Sequence, residues 1–369
     1  MPGGNDHTLP SPGLLIMRIF RRFFSVLVFL FILGDLRPQG IGFSDPSDFV
    51  YTPLVNDEGY LQAWNVNFRG SGYFIYITYI ISNIGPGTLN NGVSVLVYQG
   101  GQSRVWTAEY SIRSLQASPG RFGIVSGTNH LQLNGGAYDA KVDINNLKIQ
   151  LRLMPIASGV RLSGGKIPVS SDSSRFIRAD IPVGLATATG SISIDGKPVD
   201  LTGFGGLEYL MTNESPHSYA KKFALIRSYS GENAVYIGGF WGTSSFPGGR
   251  LIRYAITKAG KITRSGNVID VLSSEFQRDP LSGYDIPAKT VYRLDGGGSC
   301  TLTEERLYST GGYYILSHIS AFLRFVIRIL FARPFILQYM SKVTFQCEGD
   351  SAAAVVFNYT QSSYYLIND

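Results

Sequence analysis

Charge and cysteine are both scarce in this 369-residue sequence. Asp, Glu, Lys and Arg make up 16% of it, against about 25% in ordinary soluble domains. The formal net charge is only +6, and no block of Lys and Arg is interleaved with aromatic residues, so the composition argues against a nucleic-acid partner. Two cysteines cannot form a dense disulfide framework, but the length allows a sizeable hydrophobic core without one.

Motifs for metal binding and nucleophilic catalysis are missing as well. The sequence has no Gly-x-Ser-x-Gly motif, and its glycine clusters lack the Lys-Ser/Thr pair of a phosphate-binding loop. We therefore expect no metal and no cofactor. The four histidines also lack the spacing of metal ligands: they are His7, His130, His217 and His318.

Glycine and aromatic residues are abundant by comparison, with 43 Gly, 22 Phe and 22 Tyr. This composition suits β-strands joined by tight turns. The clearest strand is Leu147–Leu153, in which apolar and polar residues alternate strictly. Similar patterns recur at hairpin spacing from Tyr60 onward without helices between them, which predicts an all-β sandwich or barrel. A stretch rich in Ser, Gly and Pro, Gly159–Pro182, predicts a domain boundary.

The N-terminal region has the pattern of an export signal. Arg18, Arg21 and Arg22 precede an apolar segment, Phe23–Leu33, in which only Ser25 is polar. About 11 apolar residues match a signal-peptide h-region and fall short of the ~20 needed to span a bilayer. We therefore expect an exported protein, located in the periplasm, in the cell envelope or outside the cell. An uncleaved N-terminal membrane anchor is the alternative.

Each cysteine shares the alternation of nearby apolar residues, Cys300 with Leu302 and Cys347 with Phe345. Both side chains are therefore expected to point inward from strands. In an oxidising compartment they could form one disulfide. Two buried free thiols are the alternative.

The densest apolar run outside the N-terminal region is His318–Lys342. Its apolar part is too short to span a membrane and ends before Pro334, whose ring blocks continuation of a helix. Helical spacing would place two of its arginines on one face. The segment is expected either to pack over the core or to lie on a lipid surface. In the second case the membrane contacts would be Phe322, Arg324, Phe325, Arg328, Ile329 and Phe335.

Four segments resemble, in the same order, those of the fungal cell-survival-pathway (survival factor) proteins. The first is a strand, glycine turn and aromatic strand at Tyr60–Ile84, and the second is a Pro-His pair before an aromatic hairpin at Glu214–Phe246. The third begins with "RDPLSGYDIP" at Arg278, and the fourth ends with "ARPFILQY" at Tyr339. More distant relatives include carotenoid 1,2-hydratase and other lipocalin-like isoprenoid enzymes.

The resemblance implies an all-β fold of two tandem lipocalin-like antiparallel β-barrels with a short helix near the C-terminus. The divisions would be a leader and export signal at 1–43, an N-terminal barrel at 44–180, and a C-terminal barrel at 181–369 with a helical insert at 317–333. The export signal departs from the fungal pattern.

The function implied by the resemblance is binding, and transfer, of a hydrophobic lipid of sphingolipid, sterol or isoprenoid type. Peripheral membrane contact and a link to survival under oxidative stress belong to the same expectation. An isoprenoid- or lipid-modifying enzyme of hydratase or cyclase type is one alternative, and a ligand-free structural envelope protein is another. Enzymatic activity therefore stays open.

Two acids are candidates for protonating an alkene, as the enzymatic relatives do: Glu208 and Asp279. A buried strand acid beside aromatic faces could serve this purpose. The enzymatic relatives, however, resemble Glu-His-x-Trp where this sequence reads Glu-Tyr-Leu-Met. Glu208 is therefore expected to be a structural hydrogen-bond acceptor and Asp279, which precedes a proline, a turn former. No catalytic residue is assigned.

Aromatic side chains on strands are better candidates for ligand binding, because an eight-stranded barrel of lipocalin type can enclose one small ligand. Barrels filled by these same side chains are the alternative. The histidine of the Ser-Pro-His-Ser segment is expected either to be a packed or turn histidine or to lie at a barrel opening. The candidate ligand-binding residues are Trp64, Tyr76, Trp106, Tyr209, His217, Phe223, Tyr236 and Trp241.

Overall fold

A computed structural model describes residues 42–44, 57–83, 89–117, 122–246, 249–296, 299–314, 335–348 and 354–367. All of these residues belong to one compact unit, Ile41–Asp369. The predicted export signal and the predicted helical insert at 317–333 lie outside the described residues. Within the described ranges, no helix is long and apolar enough to cross a membrane.

The first sheet is antiparallel and has 13 strands in the order β5-β4-β3-β2-β13-β12-β10-β9-β8-β7-β6, with β11 paired to β12 and β1 paired to β11. It closes almost completely, and a side-chain hydrogen bond links strands near its two edges: Asn129 Nδ2 donates to Tyr110 Oη at 2.9 Å. Its strands are β1 (Gly42–Ser44), β2 (Tyr60–Gly70), β3 (Tyr73–Asn83), β4 (Asn90–Gln99), β5 (Gln102–Ser111), β6 (Leu115–Ala117), β7 (Gly123–Ser126), β8 (Asn129–Asn134), β9 (Ala137–Ile144), β10 (Leu147–Ala157), β11 (Gly159–Pro168), β12 (Phe176–Ile194) and β13 (Lys197–Asn213).

The second sheet is a closed antiparallel barrel of eight strands. A short helix, α1 (Pro216–Tyr219), leads into it from β13. Its strands are β14 (Ala220–Ser230), β15 (Asn233–Gly242), β16 (Arg250–Lys258), β17 (Lys261–Arg278), β18 (Asp285–Leu294), β19 (Cys300–Tyr314), β20 (Phe335–Cys347) and β21 (Val355–Leu366). The predicted all-β fold with two tandem barrels is confirmed.

The local sequence patterns account for these strands. In β10, Leu147, Ile149, Leu151 and Leu153 are buried and the residues between them are exposed, as their alternation predicts. The β12–β13 hairpin turns at Asp195–Gly196, where φ is +55° and +76°. Two consecutive positive φ values define the type I′ turn, whose twist matches that of the flanking strands and which favours Asp-Gly.

The change from one sheet to the other falls later than the sequence predicted. The boundary expected near residue 180 lies within β12, and the first sheet continues to Asn213 before the second begins at Ala220. The Ser-, Gly- and Pro-rich stretch forms a hairpin instead of a linker, since β11 pairs with β12 from Val160 opposite Ile181 to Pro168 opposite Phe176. Turn-forming residues mark a chain reversal there and not a domain border.

Both barrels are filled largely by their own side chains. One cluster of buried aromatic and aliphatic residues occupies the first barrel, and Trp64, Ile77 and Leu151 belong to it. Two clusters occupy the second barrel, one around Leu302 and Phe345 and the other around the Leu337–Tyr364 end. The outer faces of the two sheets also pack on each other, and this contact forms the candidate site.

Candidate functional site

The two sheets meet where β2, β3, β12 and β13 pack on β14, β15 and β21, and this contact is called the seam below. Small apolar clusters lie around it, including one of Tyr229 with Leu185 and Ala234 and one of Val160 with Ile181 and Ala255. The centre of the seam is polar. Charged and hydroxyl groups that are shielded by apolar neighbours interact more strongly than in water. The centre of the seam is therefore the candidate functional site.

A buried ion pair occupies this centre. Glu208 on β13 and Arg227 on β14 are 5% and 1% exposed. Arg227 Nε and Nη2 donate to the two carboxylate oxygens, with Nη2 to Oε2 at 2.7 Å, and Nη1 donates to Ser363 Oγ at 3.0 Å. Burial by itself would lower the pKa of Arg227, but the attraction of Glu208 raises it well above its ordinary value. The guanidinium therefore keeps its charge inside the protein.

Four tyrosines surround this pair: Tyr76, Tyr229, Tyr236 and Tyr365. The hydroxyls of Tyr76 and Tyr365 lie 2.9 Å apart and join β3 to β21, and the Arg227 guanidinium lies 5.3 Å from the centre of the Tyr76 ring. Burial raises the pKa of all four phenols. Their hydroxyls therefore stay protonated and can donate hydrogen bonds to an oxygen atom.

Two glycines make room for these rings. A Cβ on Gly206 would lie 2.7 Å from Tyr229 Oη, and a Cβ on Gly238 would collide with the Tyr236 side chain. Both glycines lie inside strands, where Gly is unfavourable unless another group must approach closely. The two Gly-containing strand segments thus admit tyrosines to the seam.

A narrow opening, too small to admit a water molecule, lies between Asn67, Arg227 and Tyr229. Asn67 is 1% exposed, and neither its Oδ1 nor its Nδ2 has a hydrogen-bond partner among the described residues. Arg69 lies at the mouth, where its Nη1 donates to the Tyr229 carbonyl at 3.2 Å and its guanidinium stacks on the Tyr359 ring. The seam thus combines a fixed cation, phenolic donors and an amide that is unpaired among the described residues.

Three residues singled out from the sequence meet in the seam: Glu208, Tyr76 and Tyr236. Glu208 is the acceptor that the sequence predicts, with Arg227 as its donor. Two other ligand candidates, Trp64 and Tyr209, lie together inside the first barrel with ring centres 5.4 Å apart.

The remaining ligand candidates are spread over the molecule. Trp106 is buried at the first barrel, where its Nε1 donates to Asn146 Oδ1 at 2.8 Å. Phe223 packs on Phe240 near the junction of the sheets, and His217 lies partly buried in α1. Trp241 lines a cleft at one end of the second barrel.

Of the six predicted membrane contacts, the structure describes one. Phe335 is 9% exposed and packs on Tyr314, with ring centres 5.2 Å apart. The other five lie outside the described residues: Phe322, Arg324, Phe325, Arg328 and Ile329.

Asp279 holds a turn, as expected. Its Oδ1 accepts from the Ser282 backbone N–H at 2.8 Å, and its Oδ2 accepts from Tyr339 Oη at 2.5 Å. Cys300 and Cys347 lie opposite each other on β19 and β20 and form a disulfide with an S–S distance of 2.11 Å. No three His, Cys, Asp or Glu side chains in the described ranges come together as a metal site.

Sequence analysis missed Arg227, Asn67 and Tyr365. Each lies in a strand between apolar or aromatic neighbours, as in "FALIRSYS" around Arg227. A single cation within a strand that is otherwise buried is the one signal that could have identified Arg227, because such a charge needs a partner.

Known proteins match this chain in structure but not in sequence. No family model matches the sequence, and no curated protein does. A candidate AttH protein from Nitrosomonas europaea matches in structure with a TM-score of 0.61 at 13% identity, over 90% of this chain and 99% of that one. CghA matches with a TM-score of 0.58 at 9% identity, over 89% of this chain and 98% of that one, and its complex with Sch210972 matches as well.

Kievitone hydratase from Nectria haematococca matches with a TM-score of 0.55 at 9% identity, over 84% of this chain and 89% of that one. At such identities the likeness establishes the fold alone. This chain shares the tandem-barrel fold of these proteins. None of these matches names the survival factor family, so that resemblance stays a prediction.

Proposed function

We propose that the protein binds a hydrophobic small molecule that carries an oxygen-bearing polar group, and that it does so at the seam. The observation that carries this proposal is Asn67, whose buried amide lacks a hydrogen-bond partner in the described part of the chain and faces an opening beside Arg227. A buried polar group left unpaired costs about 1–3 kcal/mol. A ligand that offers a donor and an acceptor to Asn67 would remove that cost.

The surroundings of Asn67 suit such a ligand. Phe68, Phe74 and Tyr359 supply apolar surface at the opening, and Arg227 and Tyr229 supply donors. Sites for small molecules generally combine an apolar lining with a few well-placed polar groups. The walls of the opening stand close together, so binding has to move Arg69 from the mouth.

The neighbours in structure support the same idea at the level of the fold. CghA has been solved with Sch210972 bound, and kievitone hydratase is named for a small-molecule reaction. The lipid class (sphingolipid, sterol or isoprenoid), its transfer between membranes, a role in oxidative stress and an exported location extend the proposal from the sequence.

Organic extraction of the purified protein, followed by mass spectrometry, tests the proposal. We expect one apolar compound in near-equimolar amount from the wild-type protein and at least a fivefold lower amount from Asn67→Leu, which keeps the volume but removes the amide. Tyr209→Phe, inside the first barrel, is the control and should retain the compound. Equal amounts from Asn67→Leu and wild type, or no compound from the wild type, would contradict the proposal.

A hydratase-type reaction at the same place is the second candidate. One observation favours it, namely the carboxylate of Glu208 among four protonated phenols. Both Glu208 oxygens already accept from Arg227, so proton donation by Glu208 would require the pair to separate. Turnover of an alkene or a hydroxylated isoprenoid that is lost in Glu208→Gln, with ligand binding retained, would favour the enzyme.

A further inference from the structure

A second polar group is buried inside the C-terminal barrel, apart from the seam. Glu304 on β19 is 2% exposed. Tyr364 Oη donates to its Oε2 at 3.0 Å, Tyr292 Oη reaches the same oxygen at 3.3 Å, and Ser341 Oγ donates to its Oε1 at 3.0 Å. The Ser362 hydroxyl lies 2.9 Å from that of Ser341 and completes the ring of hydroxyls. These four hydroxyls and the carboxyl form the interior site.

The interior site consists of Glu304 and neutral hydroxyl groups, and the Arg306 charge acts on one of them, the Tyr364 hydroxyl. Among the described residues, no Lys, Arg or His forms an ion pair with Glu304. Apolar clusters lie on either side of it along the barrel, one containing Leu302 and Val343 and the other Leu337. Burial raises the pKa of Glu304 above its ordinary value, although hydrogen bonds from the serines and tyrosines act in the opposite direction. A protonated carboxyl can both donate and accept a hydrogen bond.

A cleft at one end of the barrel reaches the two tyrosines of this site. Its walls include Trp241, Ile286 and Leu366, and Tyr292 and Tyr364 line it as well. Lys222 and Asp285 also line it, and the Lys222 ammonium lies 5.0 Å from the centre of a Trp241 ring. The space in the cleft that admits a water molecule is about 20 Å³. One water-sized group fits that space.

We propose that this cleft is a second ligand site, which takes the terminal hydroxyl group of a neutral, unbranched apolar molecule against the hydroxyls of Tyr364 and Tyr292, which Glu304 holds in place from behind. The terminal oxygen fits the water-sized space, and the chain lies on Trp241, Ile286 and Leu366 toward the mouth. A carboxylate at the inner end would lie close to Glu304, which has no ion-pair partner among the described residues. Lys222 and Asp285 both line the cleft, so its lining has no net charge to attract a carboxylate or an ammonium group.

The sequence offers a matched pair of variants. Tyr364 and Tyr365 are consecutive on β21, but Tyr364 points into the barrel toward Glu304 and Tyr365 points into the seam toward Tyr76. Tyr364→Phe and Tyr365→Phe each remove one hydroxyl from the same strand. The first alters the interior site and the second alters the seam, so a failure of either proposal can be recognised separately.

The probe is 1-octanol, titrated into the full-length protein by calorimetry, with octanoate and octylamine as charged analogues of equal length. We expect saturable octanol binding that is about fivefold weaker in Tyr364→Phe, since one hydrogen bond is lost, and unchanged in Tyr365→Phe. Octanoate and octylamine should bind the wild type at least tenfold more weakly than octanol.

The wild-type series is informative even if Tyr364→Phe does not fold. The absence of saturable octanol binding, or equal affinity for the three probes, would overturn the proposal. So would equal effects of the two tyrosine variants when both have wild-type circular dichroism. Glu304→Gln, which also offers a donor and an acceptor, should keep octanol affinity within about threefold. A loss of tenfold or more in this variant would contradict the assigned role of Glu304, which is to hold the two tyrosine hydroxyls in place.

Discussion

The Glu208 carboxylate of the first sheet and the Arg227 guanidinium of the second form a two-hydrogen-bond ion pair across the seam, and both side chains are buried. Only 19 positions separate them along the chain, so the pair bridges the point at which the chain passes from one sheet to the next. Each charge depends on the other, because an isolated charge in such surroundings is strongly unfavourable.

Removal of one partner should therefore cost far more than removal of a surface ion pair. Arg227→Met should lower the free energy of unfolding by about 3–5 kcal/mol, because it leaves Glu208 buried and unpaired. The double variant Glu208→Gln with Arg227→Met should recover much of that loss. Guanidinium denaturation at neutral pH measures each variant.

The control is Arg152→Met, since Arg152 pairs with Asp139 at 2.8 Å on the surface. Exposed pairs contribute about 0–1 kcal/mol. If the free energy of unfolding fell by similar amounts in the Arg227 and Arg152 variants, the buried pair would stabilise the protein no more than a surface pair does.

Glu304 should make stability depend on pH. Its folded-state pKa is raised by burial, so the protonated form stabilises the native state, and that contribution is lost as pH rises through the raised pKa. The difference in melting temperature between wild type and Glu304→Gln should therefore move in favour of Gln as pH increases from about 4. A constant difference from pH 5 to pH 9 would contradict a raised pKa of Glu304.

The Cys300–Cys347 disulfide should contribute measurably to stability. It closes a loop with a sequence separation of 47, for which the chain-entropy relation gives about 4 kcal/mol. Unreduced, denatured protein should resist alkylation at both positions, and Cys300→Ala with Cys347→Ala should unfold at lower denaturant. Labelling of both thiols without reductant would favour the free cysteines that the sequence left open.

The strands could be predicted from the sequence where one face of the strand is exposed to solvent. Leu147–Leu153 alternates because Lys148, Gln150 and Arg152 face solvent while the leucines and Ile149 face the first barrel. In β14 the alternation fails because both faces are buried, one in the second barrel with Ile226 and the other in the seam with Arg227. No period in the sequence separates two buried faces, so the seam could not be located from the pattern.

The polar groups of the two sites could not be predicted from the sequence for a related reason. Glu304 and Tyr364 are more than 50 positions apart along the chain, and only the closure of β19, β20 and β21 into one barrel brings them together. Tyr76 and Tyr365 meet only when the two sheets pack. Contacts of this kind depend on tertiary structure, and a single sequence carries no local signal for them.

Gly238 offers a direct test of how closely the seam is packed. A methyl group at this position would collide with the ring and hydroxyl of Tyr236, and such overpacking typically costs about 1–3 kcal/mol. Gly238→Ala should therefore destabilise the protein by that amount in urea and reduce the quantity of any compound extracted from the seam. Gly184→Ala is the control, because the nearest atom to a Cβ there, the Ser158 carbonyl oxygen, is 3.7 Å away.

The loss of stability caused by Gly238→Ala could come from the Tyr236 ring or from a change in strand propensity. If the ring is the cause, the loss should disappear when the ring is removed. In a Tyr236→Ala background, Gly238→Ala should cost no more than Gly184→Ala does, and the double-mutant cycle should give a coupling of about 1 kcal/mol or more. Additive effects would mean that Tyr236 can leave the seam freely. In that case Gly238 would not be needed to hold the ring beside Arg227, and Tyr236 would lose its assigned place among the four tyrosines that surround the ion pair.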